Sequence, residues 1–179
     1  MPIVKFHHIE NLHRVNRTAL LVILLFSFFA ALTAQEIPEE FQEKAQTIVQ
    51  LQPRTYGALD SELYSEKRDT TLLRYFVNLS KEHDYLEGQA FALNQLGMKY
   101  RNISQYEKAV ALHEQALKVS KEANNIDFRI LSLNMLGVVY RRTDAIKTAL
   151  DYNQKALELA EQVENPSNHI KRSITVALN

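Results

Sequence analysis

Beyond residue 35 the apolar positions fall almost everywhere at helical spacing. Phe41, Ala45, Ile48 and Val49 share one face of a helix that Pro38-Glu39-Glu40 starts and Pro53 stops. Leu72, Leu73, Phe76 and Leu79 give a second inward face on a helix near Asp69 to Asp84. Four longer helices are predicted near Glu87 to Arg101, Gln105 to Ala123, Asp127 to Arg141 and Asp144 to Val163. Asn102-Ile103-Ser104 and Arg142-Thr143-Asp144 read as short polar links, with Asp144 as the N-cap of the helix that follows. Longer breaks are expected at Asn124-Asn125 and at Asn165-Pro166-Ser167-Asn168. Good helix formers dominate, and Gly and Pro number only four each.

The pattern repeats. Leu93, Asn94, Leu96, Gly97, Tyr100 and Arg101 return forty positions later as Leu133, Asn134, Leu136, Gly137, Tyr140 and Arg141. Ala109 and Ala116 return in the same register as Ala149 and Ala156. A unit of this size cannot bury its own apolar face, so neighbouring units must stack. The expected fold is therefore all-α: a superhelical solenoid of antiparallel helical hairpins with a 40-residue period. Residues 35–68 carry only a degenerate first unit, because Pro53 stands where Leu93 should be and Asp60 where Tyr100 should be. Residues 69–179 form the array, with a capping helix, two full units and a truncated third, since Ala177-Leu178-Asn179 restarts the signature. Stability of such arrays usually needs three or more units, which suggests a fragment of a longer protein.

The first 34 residues differ from the rest. Lys5, Arg14 and Arg17 precede a mainly apolar run from Ala19 to Leu32, followed by Thr33-Ala34. This is the layout of a signal peptide, or of an uncleaved N-terminal anchor. As a helix the run would span roughly 21 Å, short of the roughly 30 Å hydrocarbon core, so cleavage after Ala34 is favoured. Either way the remainder is expected to be exported, in the periplasm or at the extracytoplasmic face of the inner membrane. Membrane contact is expected only through this segment or through parts downstream.

Charge and chemistry narrow the function. Basic and acidic residues both number 21, so no positive excess argues for nucleic acid. With no cysteine there is no disulfide, thiolate metal site or thiol nucleophile. His83, His113 and His169 are scattered, and His7, His8 and His13 lie in the leader. No metal-binding histidine pair, phosphate-binding glycine loop or convergent carboxylate pair is present, and Glu87 and Asp127 read as helix-start charges. No enzyme, catalytic residue, metal or cofactor is expected.

The spacing Leu93, Leu96, Gly97, Tyr100, Ala109 and Ala116, repeated forty positions on, resembles the tetratricopeptide repeat. Gly97 and Gly137 would let paired helices approach, with the alanines opposite and Tyr100 and Tyr140 filling the gap. The period exceeds the family's usual value of about 34 residues, and Lys121 and Glu161 stand where its terminal proline would be. Long repeats of this kind are similar to those of kinesin light chains and of exported regions in Gram-negative bacterial signalling proteins, and the leader favours the second group. The resemblance implies a non-catalytic scaffold that binds a peptide or protein, as the sensing N-terminal part of a signal-transduction protein. A stand-alone periplasmic adaptor or assembly factor, and the exported arm of a histidine kinase, are the alternatives.

First helices of this family line the inner surface. The resemblance therefore places Asn94, Met98 and Arg101, with Asn134, Val138 and Arg141, along a ligand groove, and Arg142 adds a further charge. Amides can bond an extended peptide backbone, and guanidinium groups can grip carboxylates. Structural hydrogen bonding by the asparagines and simple solvation of the arginines remain open. The carboxylate-gripping clamp of one subgroup is not reproduced, because Met98 and Val138 occupy positions where that subgroup has asparagine.

Overall fold

The computed structural model describes residues 36–164 together with 168, 170, 171 and 175. The expected leader over residues 1–34 and the restarted signature at Ala177-Leu178-Asn179 lie outside the described residues. Within them are seven α-helices, one 3-10 turn and no strand: α1 (Glu39–Leu51), α2 (Tyr56–Glu62), the 3-10 turn Glu66–Arg68, α3 (Thr70–Glu82), α4 (Leu86–Asn102), α5 (Tyr106–Glu122), α6 (Ile126–Arg142) and α7 (Ile146–Ala160). The fold is an all-helical solenoid of the tetratricopeptide type. Helices α4 to α7 each pack on the next, and α6 also touches α4.

The 40-residue period has a simple origin. Helices α4, α5 and α6 are each 17 residues long, and three residues join one helix to the next. In every link the middle residue is left-handed: Asp84, Ser104, Asn124 and Asp144 have φ between 49° and 61° and recur every twenty positions. The residue after each one folds its N–H back across the turn, as in Tyr85 to the Ser80 carbonyl (2.8 Å), Gln105 to Tyr100 (2.9 Å), Asn125 to Ser120 (3.1 Å) and Ala145 to Tyr140 (3.0 Å). Helix-terminal carbonyls are thereby satisfied, as in a Schellman turn. Short polar side chains suit the left-handed position better than bulky or branched ones. Asp144 is thus the turn residue and Ala145 the N-cap of α7, a correction of one position to the sequence reading. At the other starts, Asp69 accepts from the Thr71 and Leu72 N–H groups, and Asn125 accepts from that of Phe128.

The core follows the sequence periodicity. Phe41, Ala45, Ile48 and Val49 on α1 are buried, as are Leu73, Phe76 and Leu79 on α3. They join Ala90, Phe91, Ala92, Leu96 and Phe128 in one cluster, which makes the degenerate first unit a packed cover on the array. Burying each large apolar side chain stabilises the fold by about 1.5–3 kcal/mol, which far exceeds any exposed contact here. Lys44–Glu66 (3.0 Å) and Lys67–Asp60 (2.7 Å) tie α1 and α2 to the 3-10 turn. A second cluster holds Ile130, Leu133, Ala156, Ala160 and Ile170.

Candidate functional site

The repeated glycine makes a space in each hairpin, and a polar side chain enters it. A Cβ at Gly97 would lie 2.5–2.7 Å from three ring atoms of His113. His113 is fully buried on the face of α5 that also carries Ala109 and Ala116. Its Nδ1 lies 2.9 Å from Asn94 Oδ1, Asn94 Nδ2 donates to Ser132 Oγ at 2.9 Å, and Ser132 Oγ donates to the Phe128 carbonyl at 2.8 Å. Donor must meet acceptor along this chain, so Nδ1 carries the imidazole proton. Burial, and then the charge of Arg101, push the His113 pKa down to about 3, which keeps the ring neutral.

The second hairpin repeats the arrangement with a different residue. A Cβ at Gly137 would collide with Asn153 Oδ1 and stand 3.3 Å from the Ala149 carbonyl oxygen. Asn153 is the forty-residue counterpart of His113. Asn134 Oδ1 and Asn153 Oδ1 are both buried without a hydrogen-bond partner.

These positions revise the expected groove. Asn94 and Asn134 are each 3% exposed, so their amides lie inside the stack and not along an open surface. Both heteroatoms of the Asn94 amide bond within the protein, which favours the structural reading weighed in the sequence. Asn94→Ala is accordingly expected to cost about 1–3 kcal/mol, because it leaves buried polar groups without partners. Urea unfolding followed by circular dichroism measures the loss, and an unchanged midpoint would refute the interior role.

Arg101 and Arg142 are brought together instead. The last turns of α4 and α6 place them on one polar cleft of about 210 Å³, lined also by Asn102, Ser104 and Tyr106. Arg101 donates from Nε and Nη2 to Asn102 Oδ1, at 3.4 and 3.1 Å. Burial, and then the charge of Arg142, lower the Arg101 pKa. Met98 and Val138 are half-buried, while Arg141 and Arg142 are exposed.

Part of the first-helix face is covered by the chain itself. Arg54 Nε reaches Glu87 Oε1 on α4 at 2.9 Å, and Asn125 Nδ2, at the start of α6, donates to the Arg54 carbonyl at 3.0 Å. The Tyr85 hydroxyl donates to the Pro53 carbonyl. The Tyr56 ring lies 5.1 Å from that of Phe91 and 6.1 Å from that of Phe128, and its hydroxyl accepts from Gln95 Nε2 at 2.8 Å. A short stretch of backbone is thus held across two first helices by side chains that bond its carbonyls. Sequence reasoning placed no role on Arg54 or Tyr56, since nothing local marks a contact with Asn125, 71 residues away from Arg54. It also passed over His113, although the spacing Ala109, His113, Ala116 sets that histidine on the packing face.

Among the described residues, no group of three or more His, Asp or Glu is gathered as a metal site, and no helix is long and apolar enough to cross a membrane. No curated protein and no solved structure matches the chain. Residues 88–162 match the family model described as tetratricopeptide repeat. Four stacked helices with the small-residue contacts in place make this stretch similar to a tetratricopeptide-repeat array, the kind of unit that serves as a scaffold for protein–protein interaction.

Proposed function

We propose that this chain is a non-catalytic scaffold that binds a peptide or protein outside the cytoplasmic membrane, as the sensing N-terminal part of a signal-transduction protein. The observation that carries the binding role is the match of residues 88–162 to the tetratricopeptide repeat, a kind of unit that binds proteins or peptides. The apolar run from Ala19 to Leu32 supports export. The held segment around Arg54 and Tyr56 supports peptide recognition, since the same side chains bond backbone carbonyls as a bound peptide would require.

The solvent-reaching part of the first-helix face is the expected contact surface, with the half-buried Met98 and Val138 and the exposed Arg141 upon it. A photo-crosslinking residue in place of Met98 or Val138, in cells carrying the full chain, is expected to trap a protein outside the cytoplasm. The same residue in place of the exposed Tyr64 should trap none. Equal trapping at all three positions, or trapping of cytoplasmic proteins alone, would refute the reading. The sequence encoded after Asn179 separates its forms: kinase boxes would make this the arm of a histidine kinase, and an immediate stop would make it a stand-alone adaptor.

A further inference from the structure

We propose that the cleft between the ends of α4 and α6 is a binding site for a single oxyanion, a carboxylate or phosphate group, held by Arg101 and Arg142. The site goes beyond the scaffold reading and stands without it, because its affinity for a free anion is measurable on its own.

The argument begins with charge. Two guanidinium groups from different hairpins line one small cleft, and among the described residues neither has a carboxylate within ion-pair distance. Basic residues in the last turn of a helix commonly offset the negative end of the helix dipole, and Lys99 and Arg141 occupy the same turns. That effect requires no convergence. Arg101 and Arg142 do converge on one cleft, and Arg101 is half-buried, so its repulsion by the exposed Arg142 is only partly screened by solvent. An anion between them would remove the repulsion and gain charge-assisted hydrogen bonds.

The surroundings fit the same ligand. Asn102 Oδ1 holds the Nε and Nη2 edge of Arg101, which fixes the plane of the guanidinium and leaves Nη1 to donate. Ser104, held left-handed at φ 60°, and Tyr106 bring hydroxyl groups to the wall, with the Tyr106 hydroxyl 3.4 Å from Ser104 Oγ. The cleft of about 210 Å³ equals the space of about seven waters at roughly 30 Å³ each. One oxyanion with part of its hydration shell fits such a space. Arg141, one residue earlier than Arg142, does not line the cleft and supplies the control.

The test uses the full chain, with inorganic phosphate and N-acetylglycine as probes and chloride at matched ionic strength as reference. Arginine Nε–H resonances report binding directly. A saturable shift at Arg101 and Arg142 is expected with one probe or both, and its pattern tells phosphate from carboxylate. Arg142→Gln should weaken that binding at least tenfold, while Arg141→Gln, with the same loss of charge, should leave it within twofold. Arg101→Gln gives a second variant in the cleft, and circular dichroism confirms folding of each. Shifts that match those of chloride, or equal weakening by Arg141→Gln and Arg142→Gln, would overturn the site.

Discussion

Gly97→Ala is expected to lower the stability of this protein by about 2–3 kcal/mol, even though alanine is the better helix former by about 1 kcal/mol. The added methyl meets three ring atoms of His113 within 2.7 Å, and that ring has nowhere to go: it is fully buried, and Asn94 holds its Nδ1. Moving it breaks the His113–Asn94 bond and leaves a buried donor unmet, which adds about 1–3 kcal/mol. Gly57→Ala supplies the contrast, because a Cβ there meets nothing within 4 Å. It is expected to be neutral or stabilising by up to about 1 kcal/mol. Parallel urea titrations compare the two variants; similar midpoints for both would show that the hairpin has slack where the coordinates leave none.

Acid weakens the fold through His113. Its native pKa is depressed from 6.5 to about 3, so between these values the unfolded chain binds a proton that the folded chain refuses. Stability from this group is complete above about pH 6.5 and is lost as the pH falls towards 3, at up to about 1.4 kcal/mol per pH unit. Asp127 acts in the opposite sense, because burial raises its native pKa and acid then favours the folded form. Replacing His113 by asparagine, the residue its counterpart Asn153 already supplies, is expected to flatten the profile between pH 6.5 and 4.5. Unfolding free energies across that range provide the measurement. A wild-type slope equal to that of His113→Asn would exclude the histidine as the source.

Much of the helical architecture was legible because burial on a solenoid is local and periodic. Phe41, Ala45, Ile48 and Val49 sit inside because their spacing matches one helical face, and Leu73, Phe76 and Leu79 follow the same rule. The polar residues were harder, because an asparagine in register looks the same whether it faces a ligand or a neighbouring helix. Only the contacts of Asn94 with His113 and Ser132 decide the matter. The arginines show a different limit. The forty-residue register pairs Arg101 with Arg141, yet the cleft receives Arg142, which is turned about 100° further around the helix. Equivalence in the repeat fixes packing partners and not the geometry at a rim, where the end of one helix meets the end of another. Arg54 and Tyr56 were silent in the sequence because their partners lie tens of residues away and follow no period.

The left-handed residues Asp84, Ser104, Asn124 and Asp144 mark the chain at equal intervals, and each closes its helix with the same backward hydrogen bond. Cutting at one such residue and rejoining at another forty positions away would therefore remove or add one hairpin without disturbing the phase of the others. Ancestral duplication would have needed no new joint. The freedom left to each copy lies in what fills its glycine hollow, as imidazole in one and carboxamide in the next already illustrate.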